Sequence, residues 1–287
     1  ASTATVGQTG EGLALSPGGD LLVTLGSDKV TFWSPGKELK SVGSLSFVNT
    51  RCVAAFDGGV GVGTATSIQL YYFAVGTGTT SKGSFPLNNT VALEISSDGD
   101  RAVAMAHCDT DNDTKPDSDC LRAIDFGTAA GKTRYEATLD SDVGATLLAA
   151  SEDGRRAVVA DKNVVRGFDF STTPPTETTY NWAGATPTAI ARTLTVVKDS
   201  ETELYAVADG TSKTIRTFAF EGARLRETQG RAKLDVVPQQ MAFGHGRDLY
   251  VLSNKKFLKV DAGLADSSGE PLSLSTSVTP IAFVAQP

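Results

Sequence analysis

Cysteine, histidine and long apolar runs are all scarce in this sequence of 287 residues. Three cysteines and two histidines are too few for a zinc ribbon or a disulfide scaffold. No stretch approaches the roughly 18 consecutive apolar residues of a membrane span, and the N-terminal segment ASTATVGQTGEG has no basic region followed by an apolar one. We therefore expect no membrane span. Clustered basic charge is also missing. Residues 1–143 carry 10 Lys/Arg against 17 Asp/Glu, residues 144–287 carry 16 of each, and the whole net charge of −7 belongs to the first half. Nucleic-acid affinity comes largely from clustered Lys and Arg on phosphates, so no nucleic-acid partner is expected. The usual catalytic signatures are absent as well: there is no G-x-S-x-G, H-E-x-x-H, P-loop or G-x-G-x-x-G, and the run DGGVGVGT at 57–64 fails the last by its spacing. That run reads better as a strand packed closely against a neighbour.

What the sequence does have is a repeat. A short β pattern, often ending in Asp and an aromatic, recurs as VTFWSPG (30–36), IQLYYFAVG (68–76), LRAIDFGT (121–128), VRGFDFST (165–172), IRTFAFEG (215–222) and FLKVDAG (257–263). Aligned on Phe32, Tyr71, Ile124, Phe168, Phe218 and Val260, the spacings are 39, 53, 44, 50 and 42 residues. Ahead of each copy stands an apolar strand, a polar Gly-containing turn such as SPGGD, SSDGD or SEDGR, and a second apolar strand. A weaker fourth strand follows in several units: KSVGSLSF (40–47), KTRYEATL (132–139), RLRETQGR (224–231) and PLSLST (271–276).

Four antiparallel strands in 40–50 residues, repeated six times with almost no helical periodicity, predict an all-β chain. Here the chain resembles the β-propeller repeat superfamily of WD-like and NHL-like propellers, through turns such as Ser96–Asp100 and strand ends such as Phe32-Trp33-Ser34 and Phe168-Asp169-Phe170. It departs from WD repeats in lacking the Gly-His dipeptide at the start of each unit. The resemblance implies a single β-propeller domain over residues 1–287, with six blades, or seven as the alternative. TATVG (3–7) and PIAFVA (280–285) are candidates for a ring-closing strand, and 279–287 can equally begin a further segment.

The most distinctive segment is HCDTDNDTKPDSDC, residues 107–120, between the second and third strands of the third unit. Two readings stand. Asp109, Asp111, Asp113, Asp117 and Asp119 can converge on calcium, as in the opening of an EF-hand loop, although Thr114 stands where Gly is wanted and Cys120 where Glu is wanted. Alternatively, five like charges make a solvated loop that holds no cofactor. Cys108 and Cys120 flank the loop and form a candidate disulfide, with free thiols as the other state, while Cys52 is expected to be an unpaired core thiol. His107 and His245 read as surface or turn residues. Asn88 and Asn112 each open a glycosylation acceptor triplet.

Arg224, Arg226, Arg231 and Lys233 form a basic connection that can dock an acidic partner, or can simply discourage edge pairing. Trp182 is a candidate interface anchor if exposed, and Trp33 is expected in the core. From fold alone, the expectation is a non-catalytic protein-protein interaction scaffold with protein partners, inside the cell. The alternatives are a secreted or surface recognition propeller with a calcium loop, and a hydrolase or lyase with a metal in its channel.

Overall fold

The computed structural model describes residues 12–26, 28–35, 39–108, 118–127, 130–139, 147–192, 203–243, 248–253, 256–261 and 272–273. They form twenty-four strands and, among the described residues, no helix. The strands fall into six four-stranded antiparallel sheets, each made of four consecutive strands. This is the fold class of a six-bladed β-propeller, so the seven-blade alternative is set aside. The candidate closing strands at 3–7 and 280–285 lie outside the described residues.

Contacts divide the chain into two compact units, residues 1–144 with 152–154, and residues 145–151 with 155–287. The first unit holds three blades. Blade 1 is β1 (Gly12–Leu15), β2 (Leu22–Leu25), β3 (Lys29–Ser34) and β4 (Lys40–Ser46). Blade 2 is β5 (Thr50–Phe56), β6 (Gly59–Thr64), β7 (Ser67–Ala74) and β8 (Gly78–Pro86). Blade 3 is β9 (Thr90–Ile95), β10 (Arg101–Cys108), β11 (Ser118–Asp125) and β12 (Lys132–Leu139). In the second unit, blade 4 is β13 (Leu147–Ala150), β14 (Arg156–Asp161), β15 (Val164–Asp169) and β16 (Thr176–Asn181). Blade 5 is β17 (Pro187–Arg192), β18 (Leu204–Asp209), β19 (Thr214–Glu221) and β20 (Arg224–Lys233). Blade 6 is β21 (Gln240–Phe243), β22 (Asp248–Ser253), β23 (Lys256–Asp261) and β24 (Leu272–Ser273).

Burial follows position within the blade. Second strands such as β6 and β14 are buried on both faces, whereas fourth strands such as β4 and β16 are half exposed. Within each unit, apolar clusters fill the spaces between successive blades. Phe32, Val60, Val62 and Phe73 pack between blades 1 and 2, and Phe56, Leu70, Leu93 and Ile95 pack between blades 2 and 3. Each such fully buried side chain is worth about 1.5–3 kcal/mol relative to exposure. The glycines of β6 set the approach of blade 3: a Cβ added at Gly61 would lie 2.1 Å from Ile95 Cδ1. The Gly-rich run is therefore a close-packed strand.

The hairpin between first and second strands has one design in blades 1 and 3. The Ser16 and Ser96 hydroxyls accept the backbone N–H of Leu21 and Arg101, at 3.0 and 2.9 Å, and donate to Asp20 and Asp98, each at 2.6 Å. Blade 4 repeats the first of these bonds, from Arg156 N–H to the Ser151 hydroxyl at 2.9 Å. Gly19, Gly99 and Gly154 take the positive φ that the turn needs (73°, 70° and 65°). In the first unit successive hairpin tips are also linked. Gly18 N–H donates to Asp57 Oδ1 at 2.9 Å, Asp57 N–H to Ser97 O at 2.9 Å, and Ser97 N–H to Glu152 O at 2.8 Å.

Fourth strands β8 and β16 fall on segments in which no strand was picked out, because GTTSKGSFP and TETTYN carry too few apolar residues to show an alternation. Trp33, expected in the core, is half-buried and donates its indole N–H to Thr24 Oγ1 at 2.9 Å. A residue so near a strand end gains more by placing its polar edge on a partner than by full burial.

Candidate functional site

The connection between second and third strands is short almost everywhere. In blade 2, Thr64 closes it: its hydroxyl accepts the N–H of Thr66 and Ser67 at 3.2 and 3.0 Å and donates to Ser67 O at 3.0 Å. In blade 5, Asp209 does the same work with a carboxylate. It accepts the N–H of Thr186 (2.7 Å), Thr211 (3.1 Å) and Ser212 (2.9 Å), and the Ser212 hydroxyl (2.5 Å). Burial opposes the charged form of Asp209, but the Ser212 hydroxyl and the three backbone donors outweigh it and hold its carboxyl below the ordinary aspartate range.

Blade 3 is different. Between Cys108 at the end of β10 and Ser118 at the start of β11 lie residues 109–117, which are outside the described residues. The two strands pair as Ala106↔Cys120, His107↔Asp119 and Cys108↔Ser118. Alternation puts Cys108, Ser118 and Cys120 on one face and His107 and Asp119 on the other. On the first face, the sulfurs of Cys108 and Cys120 are joined diagonally across the strands, with Cα atoms 5.9 Å apart. On the second, His107 Nδ1 lies 2.6 Å from Asp119 Oδ1. The Asp119 side chain is 1% exposed and that of His107 is 23% exposed. An ionised carboxylate can only accept, so Nδ1 donates and Nε2 is left for another partner. The His107 N–H also donates to Asn89 O at 3.1 Å, tying the loop base to the turn after β8, where Asn88 is exposed.

His107 is thus not the surface or turn residue that was expected, because its ring closes over a buried carboxylate one step from the disulfide. Asp119, expected among the calcium ligands, is buried in β11 with the His107 ring beside it. Asp109, Asp111, Asp113 and Asp117 lie outside the described residues, as does His245. Among the described residues no group of three or more His, Cys, Asp or Glu is placed to hold a metal. Cys52 is a free thiol, pushed up to about 12 by burial, which leaves it protonated and unreactive near neutral pH.

The four basic residues Arg224, Arg226, Arg231 and Lys233 are all exposed on β20. Arg226 pairs with Glu221 at 2.8 Å and Arg231 with Glu227 at 2.8 Å. Trp182 is not an exposed anchor. It is 6% exposed, packed with Tyr205, Phe218 and Leu225, and covered by the Arg216 guanidinium 4.3 Å from its ring centre. A flat indole between two blades is better used as core and as a cation platform than at the surface. Sequence reading also missed the group around it: Tyr180 donates to Glu227, and Arg216 reaches both Tyr180 (3.0 Å) and Glu227 (3.5 Å). The hydrogen bond to Glu227 raises the Tyr180 hydroxyl above the ordinary tyrosine range, with burial adding to it.

Six sheets of four consecutive antiparallel strands define a β-propeller, and solved propellers are similar to this chain. A chain of hydrazine synthase from Kuenenia stuttgartiensis matches at 11% identity with a TM-score of 0.63, over 88% of this chain and 84% of that one. A propeller in the mitotic checkpoint complex matches at 14% identity and 0.62, over 86% and 75%. Sqt1 of Saccharomyces cerevisiae matches at 11% and 0.56, over 96% and 88%. At these identities the likeness shows the fold alone. No protein-family model matches the sequence, and no curated protein matches it.

Proposed function

We propose that the chain is a non-catalytic propeller that serves as a protein-protein interaction scaffold, with the β10–β11 insertion as its contact element. One observation carries this reading: blade 3 replaces a short turn with a nine-residue insertion and holds its base on both faces, by Cys108–Cys120 on one and His107–Asp119 on the other. Loops set on a rigid scaffold are where propellers and other repeat folds carry recognition. The likeness to a propeller in the mitotic checkpoint complex, a protein assembly, supports a scaffold at the level of fold. The test is to replace residues 109–117 by a short Asp-Gly turn. Proteins cross-linked to the native chain should be lost from this variant at an unchanged unfolding midpoint; retention of all of them would sink the reading.

A second reading is a secreted or surface propeller in which Asp109, Asp111, Asp113, Asp117 and Asp119 hold calcium. The joined sulfurs favour it, since such bonds persist in oxidising compartments. Calcium should then raise the unfolding midpoint and a chelator should lower it. An unchanged midpoint, or free thiols at Cys108 and Cys120 in protein from its native source, would remove it.

A further inference from the structure

We propose that the outer edge of blade 5 docks an acidic, extended polypeptide segment. The proposal rests on the scaffold reading but uses a surface separate from the insertion.

The argument begins with where β20 puts its charge. Register with β19 runs Glu221↔Arg224, Ala219↔Arg226, Phe218↔Glu227, Arg216↔Arg231 and Thr214↔Lys233, with a bulge between the last two pairs and the rest. Alternation on β19 therefore sets Arg224 and Arg226 on one flank of the edge, and Arg231 and Lys233 on the other. The four cations straddle the outermost strand along its whole length.

The carboxylate that could neutralise them is drawn inward. The Glu227 side chain is 11% exposed, bonded by Tyr180 and faced by Arg216, which is itself held on the Trp182 ring. Arg231 also reaches Glu227 but stays 59% exposed. Arg226 meets Glu221 only in an exposed pair, 60% and 70% open, which water and salt weaken. Lys213 donates its ammonium to the backbone O of Asp235 at 3.1 Å, and β20 itself carries four cations against one carboxylate, Glu227. That local excess of three positive charges stands in a chain of net charge −7.

The edge strand β20 pairs with β19 on one side only. The Thr214–Glu221 ladder is about 24 Å long at the rise of an antiparallel strand, so roughly seven or eight residues of an extended chain would cover it. Carboxylates spaced along such a segment can take the guanidinium forks of Arg224 and Arg226 on one side and the cations of Arg231 and Lys233 on the other. Nucleic acid suits this edge less well: the cations are few and interleaved with carboxylates, and no exposed aromatic residue of β20 offers a base a surface to stack on.

The test uses the full chain and a fluorescein-labelled decapeptide of alternating Glu and Ser, read by anisotropy. A Lys-Ser decapeptide and an oligothymidylate serve as comparisons. The Glu-Ser peptide should bind, more weakly as salt rises, and Arg224→Glu with Lys233→Glu should weaken it by about tenfold or more, one decade being 1.4 kcal/mol. Arg224→Lys should keep most of the binding. Replacing residues 109–117 should leave it unchanged, so failure of the insertion reading and failure of this one are separately visible. No binding of the Glu-Ser peptide would overturn the proposal, as would an unchanged affinity in the double variant at a native unfolding midpoint. Tighter binding of oligothymidylate, or self-association of the chain abolished by the same two changes, would overturn it in favour of nucleic acid or of a second copy.

Discussion

The connections after β18 and after β10 occupy the same place in their blades and are closed in opposite ways. After β18, Asp209 gathers four donors, three of them within three residues of it, and the turn is complete in itself. After β10, the described base is held by Cys108–Cys120 and His107–Asp119, each spanning twelve residues. A short turn is specified by residues that bond their own backbone. A long one needs bonds between the strands that flank it, since the entropy of closing a loop grows with its length.

Five measurements sharpen that contrast. The largest effect is expected from Cys108→Ala with Cys120→Ala, which frees a loop of about 13 residues and should cost about 3 kcal/mol in denaturant unfolding; a loss no larger than that of a surface change would mean that the bond does not brace the blade. Next, His107→Ala strips a neighbour from a fully buried carboxylate and should cost about 2 kcal/mol by the same measurement. Asp209→Ala should cost about 1 kcal/mol, because its donors lie in a turn that water can reach.

Asp209 also has a pH signature. Its carboxyl lies below the ordinary value when folded, so its contribution is complete above about pH 4 and fades as the pH falls through the folded value. The Asp209→Ala protein should therefore lose less stability on acidification than the native chain, and parallel acid titrations would contradict this. The smallest effect belongs to Arg224→Glu, within about 0.5 kcal/mol, since the side chain is exposed. Its weight falls on binding.

The contrast also marks what could be read from sequence. Third strands were legible in all six blades because their apolar residues pack on both sides, as with Phe168 and Phe218. Strands β8 and β16 were not, because an outer strand half open to water tolerates Thr, Ser and Gly in place of an alternation. At the insertion, the cysteine pair stood out by residue type, while the His107–Asp119 pair went unread although its signal was present: His107-Cys108 and Asp119-Cys120 are neighbouring pairs at one separation, so strands that align one pair align the other. The Tyr180–Arg216–Glu227 group had no such signal, since it joins strands 36 and 11 residues apart in the chain.

The linked hairpin tips of the first unit carry a consequence for exchange with solvent. The amides of Gly18, Asp57 and Ser97 sit in tight turns, where fast deuterium uptake is the rule. Yet each is bonded to the next hairpin rather than to its own. Their protection therefore reports whether neighbouring blades stay together, not whether a turn stays folded. In a deuterium-exchange experiment these three positions should exchange as a group, later than the tip of the β7–β8 hairpin, and would record the parting of one blade from the next.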